Sequence, residues 1–255
     1  MWRIKNLQIA LLTDRGLERA RNEDSCFAKA ESELGLLVVA DGMGGHQAGN
    51  IASSLAVSAA ENFWEGLDRS ASLAAAESRQ AVRGLIIEAN KAVIAQSLNY
   101  PSRRGMGTTI TAGLLCGSRL TIGHVGDSRA YLINNESIKL LTKDHSLLEE
   151  LIDSGEVRPE EGQNHPQRHV LTRAVGITED LEVDIFEQEL EKGSTILFCT
   201  DGLTNLVDDD EILTECLEQP DPQKLAEKLI AVAKARGGHD NITVVVAAGI
   251  GGQHV

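Results

Sequence analysis

The chain of 255 residues is 42% hydrophobic and 24% charged, which excludes disorder as its main state. At roughly 100–200 residues per domain it has room for one large domain or two small ones. Lys and Arg number 24 against 38 Asp and Glu, so the net charge is −14, and its mean field repels the polyphosphate backbone of a nucleic acid.

In chain order, short apolar runs at Leu7–Thr13, Ser25–Ala28 and Leu36–Ala40 predict strands. Two helices follow: the Ala- and Ser-rich Ile51–Trp64, and Ser72–Leu98, where Val82, Leu85, Ile86, Ala89, Val93 and Ile94 form one apolar stripe. Residues 99–106 are a polar connection. Strand patterning returns at Thr108–Cys116, Leu120–Val125, Ala130–Ile133 and Ile138–Leu141, and His145–Gly155 predicts a short helix. Residues 156–169, polar with two prolines, predict a surface excursion. Strands at Leu181–Glu187 and Thr195–Cys199 precede two helices, Asp209–Leu217 and Pro222–Arg236, the second with Asp221 as N-cap and Pro222 in the first helical position. Ile242–Ala248 is a last strand. This order, with neither a repeat nor a linker, predicts one domain over 1–255: an α+β fold of antiparallel sheets with helices outside.

Cys26, Cys116, Cys199 and Cys216 are scattered, without a CxxC pair or a His/Cys cluster, which fits a reducing cytosol. The apolar stretch near the N-terminus is too short for a signal peptide, and nothing reaches the roughly 18 consecutive apolar residues of a membrane span. The expectation is a soluble, cytoplasmic protein.

Chemistry shows in aspartates at the ends of apolar runs. LLVVA leads into Asp41-Gly42, ILFCT into Asp201-Gly202, and Asp240-Asn241 precedes the final strand; Glu23 and Asp24 sit just before the second. Carboxylates on rigid strand ends can share a cleft, and an all-oxygen set suits hard divalent cations such as Mg²⁺ or Mn²⁺. Each signal alone has a plainer reading: Asp-Gly as a turn, Asp240-Asn241 as an Asx turn or strand lead-in, Asp127 as a hairpin turn, Glu23-Asp24 as solvated surface.

The segments TDRGLERARNEDS (13–25), VADGMGGHQAG (39–49), MGTTI (106–110), GHVGDSRAYL (123–132), LTKDHS (141–146), LTRAVG (171–176), FCTDGL (198–203) and GGHDNITVVV (237–246) together resemble the bacterial PP2C-type (PPM) metal-dependent Ser/Thr protein phosphatases, in family order and across roughly residues 10–247. The resemblance implies a central β-sandwich of two antiparallel sheets flanked by helical pairs, with a flap at about 145–169. It implies Asp41 bridging two Mg²⁺ or Mn²⁺ ions, the Gly42 backbone carbonyl binding one of them, and Asp201 and Asp240 binding the other. By the same resemblance Glu23 and Asp24 would hold waters on the metals, Asp127 with Asp201 would hold a third, weaker ion, and Arg19 would bind the phosphoryl group, its planar fork suited to two oxygens. Read on its own, Arg19 is a surface charge beside Glu18 or Glu23.

In this reading a water shared by two ions attacks phosphorus in line, so the positive field that an acidic chain needs is local and largely metallic. The substrates implied are phosphoserine and phosphothreonine proteins, including a Ser/Thr kinase or its targets, with neither nucleic acid nor membrane as partner and monomer as the family default. Met43 stands where many eukaryotic members carry His; His46 is near in sequence, and the general acid is unassigned. His165, Arg168 and His169 are on or near the flap, either touching substrate or solvated. Two other functions compete: a catalytically dead regulatory binding module, against which the retention of Asp41, Asp201 and Asp240 argues, and a small-molecule phosphohydrolase on the same fold.

Overall fold

The run Leu34–Val39 is apolar on both sides of its pleat, and it can be satisfied only between two layers. Leu36, Val38 and Ala40 turn towards a helical pair, while Leu37 and Val39 turn towards a second sheet. Val244 and Val246 likewise face helices, with Val245 and Ala247 facing inward between the sheets. Period-two alternation of two apolar faces therefore builds four layers, helix–sheet–sheet–helix.

The structure, a computed structural model, describes residues 7–44, 48–68 and 73–250. The strands are β1 (Gln8–Asp14), β2 (Asp24–Glu31), β3 (Leu34–Met43), β4 (Gly107–Thr108), β5 (Ile110–Cys116), β6 (Arg119–Val125), β7 (Arg129–Ile133), β8 (Ile138–Leu140), β9 (Asp184–Glu189), β10 (Thr195–Cys199) and β11 (Ile242–Ala248). The helices are α1 (Ala48–Gly66), α2 (Ala75–Asn99), α3 (Leu147–Asp153), α4 (Asp201–Thr204), α5 (Asp209–Glu218) and α6 (Pro222–Ala235). One sheet has the order β1-β11-β10-β7-β8; the other is β2-β3-β5-β6-β9, with β4 beside β3. All pairings are antiparallel.

Small residues let helices approach closely: Ala52, Ala56 and Ala60 recur every fourth position on the buried face of α1, above β2 and β3. The stripe Val82, Ile86, Ala89 and Val93 buries α2 against β5 and β6, and Leu225, Leu229 and Ala233 bury α6 against β1 and β11. Asp221 caps α6, accepting from the N–H of Lys224 at 3.0 Å.

Several boundaries differ from the sequence expectation. The strand expected at Leu181–Glu187 is β9, Asp184–Glu189, because pairing with β6 begins only at Asp184 opposite His124. Thr108–Cys116 is broken at Thr109, between β4 and β5. The helix expected from His145 starts at Leu147, since Ser146 is its N-cap and its Oγ accepts from the N–H of Glu149 at 3.2 Å. The excursion at 156–169 contains a 3-10 turn at Pro159–Asn164, and another, Pro101–Arg103, occupies the expected polar connection. Ser72 and His46 lie outside the described residues. All four cysteines are free thiols, and no helix among the described residues is long and apolar enough to cross a membrane.

Candidate active site

Antiparallel pairing gathers the acidic residues at one end of the sandwich. β3 and β10 run out at the end where β2 and β11 begin. Register places Asp24 directly opposite Asp41 across β2 and β3. On the other sheet Cys199 pairs with Val244, and the N–H of Thr200 then donates to the carbonyl of Thr243 at 3.1 Å, so Asp201 and Asp240 continue from neighbouring strands. Asp24 fastens the two sheets together there: Thr200 Oγ1 and Thr243 Oγ1 donate to its Oδ2 at 2.8 and 2.7 Å.

Asp127 lies between β6 of one sheet and β7 of the other, so it crosses between layers and closes no hairpin. The hairpin-turn reading of Asp127 is thereby corrected. Asp41 and Gly42 also differ from expectation, because they lie within β3, where an Asp-Gly turn after a strand would also have fitted the sequence. Asp41 is held by its backbone: its N–H donates to Thr109 Oγ1 at 2.9 Å, and its carbonyl accepts from Thr109 N and Thr108 Oγ1, both at 2.8 Å. Position 42 admits only glycine, since a Cβ there would lie 2.1 Å from the carbonyl oxygen of Gly49 and 2.5 Å from that of Glu23.

Arg19, Glu23, Asp41, Gly42, Asp127, Asp201 and Asp240 all line one cleft of ≈ 740 Å³. Asp24 lies beneath it, buried. Arg168 and His169 also line the cleft, whereas His165 does not. The flap that carries them is closed at its base, where Ser146 bridges Leu171 and the N–H of Leu147 donates to the carbonyl of Val170 at 2.8 Å.

Electrostatics marks these carboxylates as frustrated. Burial, with repulsion from Asp201 and Asp240, pushes Asp24 up to about 7 despite the two threonine hydrogen bonds. Burial together with neighbouring carboxylates holds Asp41 and Asp127 well above the usual range, and burial raises Glu23. Asp201 goes the other way. Burial opposes its charge, but His169, Asp41 and Asn205 outweigh it and lower its pKa; Asn205 Nδ2 donates to Oδ2 at 2.9 Å, and His169 Nδ1 stands 3.7 Å off, an ion-pair distance.

The donor set fits hard divalent cations. It is all oxygen, its carboxylates repel one another, and two of their buried atoms, Asp24 Oδ1 and Asp201 Oδ1, have no hydrogen-bond partner. Among the described residues no three His, Cys, Asp or Glu side chains close into a cage by themselves. The arrangement is an open cleft, suited to ions that keep part of their water.

Arg19 pairs with neither Glu18 nor Glu23. Its NH2 group donates to Asp240 Oδ2 at 2.6 Å, while Glu18 meets His239 Nδ1 at 2.6 Å. Sequence reasoning missed Thr109, Thr200, Thr243, Asn205 and Asn241, the polar residues that hold the carboxylates and their loops. Asn205 was findable, since it stands four residues after Asp201, as the C-cap of α4, a one-turn helix absent from the expected elements.

A model of the protein phosphatase 2C family matches residues 17–233. The serine/threonine phosphatase stp of Listeria monocytogenes serovar 1/2a is 39% identical over 236 residues, 92% of this chain and 92% of the relative. The serine/threonine protein phosphatase PstP of Mycobacterium tuberculosis H37Rv is 42% identical over 94% of this chain, which spans 45% of PstP. A crystal structure of the M. tuberculosis phosphatase superposes with a TM-score of 0.86 at 38% identity, covering 95% of this chain and 98% of that one. The PstP catalytic domain in complex with two manganese ions superposes at 0.83 with 37% identity, covering 95% and 97%.

Proposed function

The chain belongs to the protein phosphatase 2C family, as a metal-dependent serine/threonine phosphatase of the bacterial type using Mn²⁺ or Mg²⁺, and from that premise we propose the roles of its own residues. Asp41, the Gly42 carbonyl, Asp201 and Asp240 hold two ions. Asp127, together with Asp201, holds a third. The observation that carries this assignment is the convergence of mutually repelling carboxylates on one cleft, with an unpartnered buried oxygen on Asp201 in its lining and another on the buried Asp24.

When bound, the ions supply an activated water at neutral pH and offset charge on the phosphoryl oxygens. The remaining work falls to the protein. Arg19, 54% exposed at the rim, turns its fork to two phosphoryl oxygens. Glu23 and Asp24 orient water at the floor; Asp24 is positioned by Thr200 and Thr243, with one oxygen left for that purpose.

We read the substrates as phosphoserine and phosphothreonine proteins, among them a Ser/Thr kinase or its targets, and the protein as a cytoplasmic monomer. Residues 1–255 form one phosphatase domain in this reading, with the flap at 145–169 as the edge a peptide touches. Two measurements test it together. Hydrolysis of p-nitrophenyl phosphate and of a phosphothreonine peptide should vanish in EDTA and return with Mn²⁺. Turnover in chelator by folded protein would overturn the metal assignment.

A further inference from the structure

Asn241 follows Asp240 directly, and its side chain makes three hydrogen bonds to the backbone of one distant segment. Its Nδ2 donates to the carbonyls of Arg15 and Arg21, both at 2.9 Å, and its Oδ1 accepts from the N–H of Glu23 at 2.8 Å. The residue is 5% exposed. Both donors and the acceptor of the amide are thus spent on one loop, 15–23, which has no helix or strand of its own.

That loop carries Arg19 and Glu23, and it is seated on the residues around Asn241. The N–H of Leu17 donates to the carbonyl of Gly238 at 2.8 Å. Gly16, at φ +75°, passes so close that a Cβ would lie 2.1 Å from the carbonyl oxygen of Asp240. With no regular structure to place it, the loop is located by these contacts together with Gly16 N–H donating to Asp14 Oδ1 at 2.8 Å, Asn22 Nδ2 donating to Thr13 Oγ1 at 2.7 Å and Ser53 Oγ donating to the carbonyl of Glu23 at 2.6 Å, and Asn241 grips it at both ends.

We propose that Asn241 is a positioning residue for phosphate recognition. It fixes the loop bearing Arg19 and Glu23 to the strand end bearing Asp240, so that guanidinium and metal-holding carboxylate keep a set separation. This rests on Arg19 as the phosphate-binding residue. Asp cannot substitute, because a carboxylate would face the carbonyls of Arg15 and Arg21 with no proton to give.

The test is a double-mutant cycle on the full chain with Mn²⁺, using Asn241→Ala and Asn241→Ser, each alone and with Arg19→Ala. The readouts are KM and kcat for p-nitrophenyl phosphate, Ki for inorganic phosphate, and Mn²⁺ affinity by calorimetry. Losing the grip should raise KM and Ki about tenfold, the scale of one charge-assisted hydrogen bond. Mn²⁺ affinity should change by less than about threefold, as no proposed ligand is removed, and in the Arg19→Ala background the Asn241 substitutions should add less than about threefold, since a residue that acts through Arg19 has no further effect once Arg19 is gone. Fully additive losses, or a loss confined to Mn²⁺ affinity, would overturn the proposal while leaving Arg19 in place. A silent Arg19→Ala would refute the reading of Arg19 itself, and Asn241 would fall with it. If both Asn241 variants fail to fold, the residue belongs to the scaffold and the positioning role is wrong.

Discussion

Asp24 and Asp41 are direct partners across β2 and β3, two carboxylates set opposite one another at the floor of the cleft. Like charges in that position destabilise a sheet, and the protein carries the conflict because the site needs the charge. A consequence for pH follows. Asp24 is raised from 3.8 to about 7, and Asp41 and Asp127 stand well above 3.8, so the folded state keeps protons that the unfolded chain has released. Without metal, the contribution of these three carboxylates to stability should therefore fall as pH rises from about 3.8 through about 7. Asp201 acts in the opposite sense, adding stability above 3.8 and losing it in acid, and so do the buried His124, lowered from 6.5 to about 3, and His145, also lowered by burial, which add stability as pH rises to about 6.5. In chelator, Asp24→Asn should raise Tm over the parent chain at pH 7.5 and by less at pH 5, with Mn²⁺ raising the parent's Tm by several degrees at pH 7.5 and by less at pH 5. A gain from Asp24→Asn no larger at pH 7.5 than at pH 5 would contradict this.

Asp201→Ala and Asp240→Ala should each reduce kcat/KM by more than about a hundredfold, because even the outer partners of metal ligands cost 10–100-fold when removed. Circular dichroism should remain native. Calorimetry should report the loss of at least one Mn²⁺ ion from each variant, and full Mn²⁺ stoichiometry would reassign the ligand.

Arg19→Ala should lower kcat/KM by about ten- to a hundredfold, the equivalent of a hydrogen bond to a charged group. The guanidinium also occupies Asp240 Oδ2 at 2.6 Å, so its removal frees an oxygen for metal. Half-activation by Mn²⁺ should thus stay the same or move to lower concentration. A shift to higher concentration would show that Arg19 supports the metal site.

Asp127→Ala should retain two tightly bound ions and lose activity most visibly at low Mn²⁺, as the weakest site empties first. Since Asp127 crosses between sheets and closes no hairpin, the change in stability should stay within about 1 kcal/mol, a typical point-mutant cost. Unaltered Mn²⁺ dependence would remove the third ion from the account.

Replacing exposed flap residues among 156–167, outside the cleft lining, should change activity on phosphopeptides several-fold and on p-nitrophenyl phosphate hardly at all. Only a peptide is long enough to reach from the cleft to the flap beyond Arg168 and His169. Equal losses on both substrates would count against a selecting role.

The sequence by itself determined the layers and the chemistry. Alternation such as Leu36–Leu37–Val38–Val39 records which face each strand buries, a local property that survives in the order of residues. Asp41, Asp201 and Asp240 were legible because each ends or precedes an apolar run, within motifs that kept family order. What the tertiary structure alone decided is what stands across space from what. The Asp24–Asp41 pairing depends on register, Asp127 on a crossing between sheets, and the Arg19–Asp240 contact joins residues 221 positions apart. Asn241 shows the limit most clearly. In the sequence it reads as an Asx turn before a strand, because its three partners are backbone groups, and a backbone carbonyl or N–H leaves no mark on the residue that supplies it.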